Sequence, residues 1–217
     1  MTVTRPVAVV TGAAQGIGAA TARRLAADGY AVALLDVSPQ VDETAAALSA
    51  DGAAALGLRC DVSDPADWDR AVRACRAELR PVNVLVSNAL RYDPGAADEI
   101  SLESWRAQLD VTLTGTFLGI RATLDDLRAV DHAAVVIVSS VHAWFGLPGR
   151  PAYAAAKAGL TGLTRQLAVE YGPHVRVNAV LPGPVLTAQW DGIGEEDRRR
   201  SAAATVAGRL RRPEEVA

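Results

Sequence analysis

The stretch "PVAVVTGAAQGIGAATARRLAADGYAVALLD", residues 6–36, decides the fold. It opens on an apolar, β-branched run with no polar alternation, the pattern of a strand buried on both faces. "GIGAATARRLAADG" (16–29) follows with helical character and closes at Gly29, and "YAVALLD" (30–36) is a second strand. Strand, glycine-rich turn, helix, strand is a crossover unit joining two parallel strands.

The same alternation continues outward. A helix over 39–52 precedes a strand at "AALGLRCD" (54–61). "DPADWDRAVRACRAEL" (64–79) is a helix with Asp64 at the N-cap and Pro65 at the first helical position. "PVNVLVSN" (81–88) is a fourth strand, and 101–128 reads as one long helix with Leu102, Trp105, Leu109 and Thr112 at helical spacing. "AAVVIVSS" (133–140) is a fifth strand, 151–172 a helix, and "HVRVNAVLPG" (174–183) a sixth strand. Residues 195–210 look helical, and "RPEEVA" begins another helix. No repeat or composition break divides residues 1–217, so one domain is expected. Six buried strands alternating with helices give an α/β fold: a doubly wound, Rossmann-type parallel sheet in three layers. Ligands in such sheets bind beyond the carboxyl ends of the strands.

Bulk composition narrows the function classes. The net charge of -3 gives no footprint for nucleic acid or an anionic membrane. Arg198, Arg199 and Arg200 stand beside Glu195, Glu196 and Asp197, the composition of a solvated helix face. Two cysteines outside any CxxC pattern and three scattered histidines offer no metal constellation. The thiols are expected reduced and the compartment cytoplasmic. The chain enters its first strand at Val7 without a signal-type leader, and no stretch approaches the roughly 20 apolar residues of a membrane span.

The glycine turn carries the first candidate site. Gly12, Gln15, Gly16, Ile17 and Gly18 lie where a strand feeds a helix. Glycines there let backbone approach a pyrophosphate, and the helix start offers free N–H groups and a positive dipole end. Asp36 ends the second strand, the confirming context for a dinucleotide. A carboxylate there accepts from ribose hydroxyls and repels a 2′-phosphate, and no Arg or Lys stands at Gln15, Val37 or Ser38. NAD(H) is therefore expected over NADP(H). Asp61, with Val62 beside it, is placed to meet the adenine amino group or simply to start the next helix.

"YAAAK" (153–157) carries the second. Tyr153 and Lys157 are one helical turn apart, and Ser140 ends the fifth strand 13 residues before Tyr153. A free phenol is a poor base at neutral pH, since its pKa is about 10. A neighbouring ammonium is expected to lower that pKa and make Tyr153 a general acid/base for an alcohol/carbonyl pair. Ser140 holds the substrate oxygen, and Lys157 reaches the nicotinamide ribose.

Together these motifs resemble the classical short-chain dehydrogenase/reductase family over essentially the whole chain. "TGAAQGIG" is similar to its cofactor turn, "YAAAK" to its Tyr-x-x-x-Lys pair, and Ser140 falls at its serine position. "NAVLPGPVLT" (178–187) resembles the segment after its sixth strand. The resemblance implies reversible hydride transfer between a nicotinamide and a secondary alcohol or ketone. It also implies that Pro182 and Gly183 bend the chain over the nicotinamide, and that Val185 and Thr187 touch the carboxamide and phosphates. Three departures stand out. The family's Asn-Asn-Ala-Gly is "SNAL" here, keeping Asn88 and Ala89 but placing Leu90 at the glycine position. The family's fourth catalytic residue, an Asn that holds a water linking the lysine to solvent, is Thr112, so a slower proton relay is expected. The family continues through a further helix and a seventh strand after "RPEEVA"; without them the sixth strand is an edge.

Substrate walls are expected from Leu90, Arg91 and Tyr92, from His142, Trp144 and Phe145, and from Gln189, Trp190 and Asp191, with 186–210 as a loop or lid over the substrate. Aromatic walls suit a ring or hydrophobic group. The resemblance implies a homodimer or homotetramer built on the helices of 101–128 and 151–172, with Ala155, Gly159 and Gly162 admitting a close partner. A competing reading is a catalytically weakened dinucleotide-binding sensor or scaffold, which Thr112 and Leu90 favour and the intact Ser140, Tyr153 and Lys157 oppose.

Overall fold

All five residues of strand β1 (Val7–Thr11) are buried, as the uninterrupted apolar run requires. The computed structural model describes residues 5–217. The other strands are β2 (Ala31–Asp36), β3 (Ala55–Arg59), β4 (Val84–Ser87), β5 (Ala134–Val138) and β6 (Arg176–Val180). They form one parallel sheet in the order β3-β2-β1-β4-β5-β6. The order reverses direction between β1 and β4, which opens the ligand crevice beyond their carboxyl ends.

Alternate strand residues feed two separate cores, one on each face of the sheet. Val7, Val9, Leu85, Val135 and Ile137 pack with Trp68, Leu118, Leu127 and Leu160 on one side. These come from α3 (Pro65–Glu78), α5 (Gly115–Ala129) and α6 (Pro151–Tyr171). Ala8, Val10, Val32 and Leu34 pack with Ala22, Val41 and Leu48 on the other, from α1 (Gly16–Ala27) and α2 (Gln40–Ala50). The three-layer α/β architecture is thus as the alternation predicted. Asp64 caps α3 by accepting from Ala66 N at 2.8 Å, with Pro65 next to it.

Several expectations are corrected. Residues 102–129 are helical throughout, as expected, but not uniformly α: α4 (Leu102–Leu109) passes through a π-helical turn (Asp110–Thr114) into α5. A one-residue widening inside a helix leaves the apolar spacing nearly unchanged, so periodicity does not reveal it. Gly159 does not stand free for a partner helix: a Cβ there would lie 2.9 Å from Leu113 Cδ2 of that π turn. The close approach that the small residue permits is within the chain. The helix expected over 195–210 ends earlier, as α7 (Glu195–Ala203), and within "RPEEVA" residues Pro213–Glu215 form a 3-10 turn. β3 and β6 are edge strands and less buried than the other four, with Arg176, Asn178 and Val180 exposed along β6. Cys60 and Cys75 are free and buried, and burial pushes both thiols up to about 12. No helix among the described residues is long and apolar enough to cross a membrane.

Gly119 marks where α5 meets α3, since a Cβ there would lie 2.5 Å from Trp68 Cζ2. Gly119→Ala should therefore cost about 1–3 kcal/mol in urea unfolding through overpacking. Gly146→Ala, whose Cβ meets nothing within 4 Å, should stay within about 0.5 kcal/mol of wild type.

Candidate active site

The carboxyl ends of β1 and β4 are knotted by polar groups. Thr11 Oγ1 accepts from Asn88 N (2.9 Å) and Ala89 N (3.0 Å), while Asn88 Nδ2 donates to Thr11 O (2.9 Å) and Gly12 O (3.1 Å). Asn88 and Ala89, expected as cofactor contacts, thus first hold the glycine turn in shape. Thr11 was not anticipated; a lone hydroxyl closing an otherwise apolar strand is the signal that could have found it.

The turn itself is a cradle. Gly12 and Gly16 have φ of +64° and +57°, which only glycine adopts without strain. A Cβ on Gly18 would collide with the Gly12 carbonyl oxygen, and one on Gly16 would meet the Thr187 methyl at 3.3 Å. Gln15, the N-cap of α1, makes no side-chain capping bond, and the first turn, with Ile17 and Gly18, has no acidic residue. Uncapped N–H groups at a glycine cradle fit a pyrophosphate. Asp36 stands beside it: its carboxylate accepts from Ala14 N (3.0 Å) and Ser38 N (2.9 Å), fastening the turn to the end of β2. Asp61 is exposed and its carboxylate accepts from Ser63 N (2.9 Å) and Ser63 Oγ (2.6 Å), within the turn that precedes the Asp64 cap of α3. Val62 is buried; a Cβ on Gly115 would lie 2.8 Å from it.

Ser140, Tyr153 and Lys157 meet at the end of β5. Ser140 is the N-cap of a single 3-10 turn, and its Oγ accepts from His142 N at 3.2 Å. That fixes the oxygen and leaves its proton free to donate. Lys157 is wholly buried and its Nζ donates to Val138 O at 2.7 Å. Ser139 Oγ, another unanticipated group, donates to the carbonyl of Lys157 at 2.8 Å. Nζ lies 5.7 Å from the Tyr153 ring centroid. Val141 N donates to Pro182 O at 3.1 Å, so the bend at Pro182 and Gly183 is attached to the Ser140 turn.

The electrostatics correct one expectation. Burial pushes the Tyr153 phenol above its ordinary value, opposed by the neighbouring Ser140 hydroxyl and the charge of Arg150. The phenol is not made acidic by the lysine, because burial strips the amine of its own preference for charge and pushes Lys157 down to about 7. Burial thus raises the phenol and lowers the amine one turn away.

Thr112, in the π turn, is buried, and its Oγ1 accepts from Arg91 N at 3.3 Å. The hydroxyl expected to hold a water thereby also anchors the loop after β4. Of the expected walls, His142 and Tyr92 meet the Tyr153 ring edge-on at 5.8 and 5.5 Å. Leu90 is half-buried. Trp144 and Phe145 are 69% and 68% exposed. Trp190 Nε1 donates to Val185 O at 2.8 Å, and Arg198 reaches Trp190 O. Leu186 N donates to Arg211 O at 2.7 Å, so the segment 186–210 is tied together at its two ends. No cluster of metal ligands occurs among the described residues.

A glycine cradle and a Ser-Tyr-Lys cluster along one sheet edge define a dinucleotide-dependent oxidoreductase. The family profile "short chain dehydrogenase" matches residues 6–198, and the chain belongs to that family. It is 43% identical to cis-4-hydroxycyclohexanecarboxylate dehydrogenase of Sinomonas cyclohexanicum, covering 97% of this chain and 86% of the relative. It is 35% identical to 3-alpha-(or 20-beta)-hydroxysteroid dehydrogenase of Mycobacterium bovis, covering 97% and 78%. Among solved structures, a single-substitution variant of actinorhodin polyketide ketoreductase with NADPH superposes with a TM-score of 0.90 at 32% identity, covering 98% of this chain and 87% of that one.

The buried amine sets a pH dependence of stability. An unfolded lysine titrates at about 10.4, so above pH 7 the unfolded chain holds a proton that the folded chain has released. Stability must rise with pH across that window, until the unfolded thiols begin to ionise at about 8.5 and oppose it. The urea midpoint should climb from about pH 7 to about pH 8.5, and Lys157→Met should flatten the climb.

Proposed function

We propose that this protein interconverts a ring-borne secondary alcohol and its ketone with NAD(H), using Tyr153 as general acid/base. The observation that carries the reading is the convergence of Ser140, Tyr153 and Lys157 beside the glycine cradle. A bound nicotinamide supplies or takes the hydride. Tyr153 gives its phenol proton to the carbonyl oxygen in reduction and recovers it in oxidation; burial, which raises its pKa, keeps the proton on the phenol until then. Ser140 donates its free hydroxyl proton to the same oxygen. Lys157, poised near neutrality, takes up or releases a proton as the phenol changes state.

Gly12, Gln15, Gly16, Ile17 and Gly18 hold the pyrophosphate in this reading. Asp36 takes the ribose hydroxyls and keeps out a 2′-phosphate, which supports NAD(H) although the related ketoreductase carries NADPH. Pro182, Gly183, Val185 and Thr187 close over the nicotinamide, and residues 186–210 form the substrate loop of a single domain. Two relatives are named for hydroxyl groups on rings, a hydroxycyclohexanecarboxylate and a hydroxysteroid, and Tyr92 and His142 offer the flat walls a ring needs. Association through α5 and α6, where Phe117 and Val169 stay exposed, is part of the same reading.

Tyr153→Phe should lower turnover of a cyclic ketone by about 10²- to 10⁴-fold and leave NADH affinity within about twofold. Native turnover in that variant would refute the assignment. By titration, NADH should bind more tightly than NADPH, and Asp36→Ala should narrow the difference; tighter NADPH in wild type would overturn the cofactor choice.

A further inference from the structure

Arg150 is the N-cap residue of α6, three positions before Tyr153. Its carbonyl accepts from Ala154 N at 2.9 Å, so the helix start fixes its backbone. The guanidinium lies 5.3 Å from the Tyr92 ring centroid, and Tyr92 in turn meets Tyr153 at 5.5 Å. Gly95 N donates to Gly149 O at 3.0 Å, clamping the loop that carries Tyr92 to the loop that carries Arg150. The cation is therefore held one aromatic ring away from the Tyr153 phenol.

What sets Arg150 apart from the other unpaired arginines among the described residues is that it is half-buried. Arg91 next to Tyr92 is paired with Asp93 at 3.1 Å, Arg198 reaches Trp190 O, and Arg209 and Arg211 gather on Glu215. Arg150 is half-buried, yet among the described residues its guanidinium makes no ion pair and no hydrogen bond. Its charge is felt at the site, where it pulls down both Tyr153 and His142. A planar fork of donors, partly desolvated and unmatched, is suited to a carboxylate arriving with the substrate.

We propose that Arg150 determines specificity by binding a carboxylate on the substrate ring, so that the preferred substrates are alicyclic hydroxy and keto acids. This rests on the oxidoreductase reading above. Arg150 acts on the far end of the ring, while Ser140 and Tyr153 act on the oxygen.

The test compares 4-oxocyclohexanecarboxylate with its methyl ester, using the purified protein and NADH. Wild type should prefer the acid in kcat/KM. Arg150→Gln should lose about 10- to 100-fold on the acid, chiefly through KM, and stay within about twofold on the ester. Arg150→Lys should recover part of the loss on the acid. Equal losses on both probes would mean that Arg150 only tunes the phenol or supports the fold, and would overturn the proposal. An ester turned over as well as the acid by wild type would overturn it too, leaving the oxidoreductase reading intact. Turnover of neither probe, with NADH bound, would sink the ring-substrate reading and this inference together.

Discussion

Two hydrogen bonds running in opposite directions fasten α6 to the end of β5. The Lys157 amine donates to Val138 O, and the Ser139 hydroxyl donates back to the Lys157 carbonyl. Both are buried, so breaking either leaves a polar group without water to replace its partner. The clasp fixes the rotation and height of α6, and with them the position of Tyr153 one turn earlier. It also holds an amine where burial erodes its charge. The position of the phenol and its electrostatics thus come from one constraint.

A second knot, Thr11 with Asn88, does for the cofactor end what the clasp does for the reacting end. Parallel strands reach the sheet edge side by side, and the chain leaves each of them in a different loop. Unless those loops are joined, each can drift. The bonds between Asn88 and Gly12 join β1 to β4, Asp36 joins the turn to β2, and Val141 to Pro182 joins β5 to the exit of β6. The sheet edge becomes one rigid rim, which is what positioning a reactant to within a fraction of an ångström demands.

The π turn at Asp110–Thr114 connects the two ends. It brings Leu113 against Gly159 of α6 and Thr112 against the loop after β4. Thr112 at the family's Asn position is therefore more than a missing donor. Its hydroxyl supports the loop that carries Tyr92, and through Tyr92 the wall that ends at Arg150.

Much of this was legible in the chain itself. Burial on both faces writes β1, β2 and β4 as continuous apolar runs, and glycines at a strand–helix turn are dictated by backbone sterics, so fold class and cofactor cradle follow from local sequence. Tyr153 and Lys157 were visible because helical spacing alone places them together. The charge state of that pair was not visible, because it depends on how many layers of protein exclude water from Lys157. The π turn in the long helix escaped because one added residue barely alters a 3.6-residue period. Arg150 escaped as well: what marks it is partial burial without an ion pair among the described residues, and only the folded chain decides which charges are neighbours.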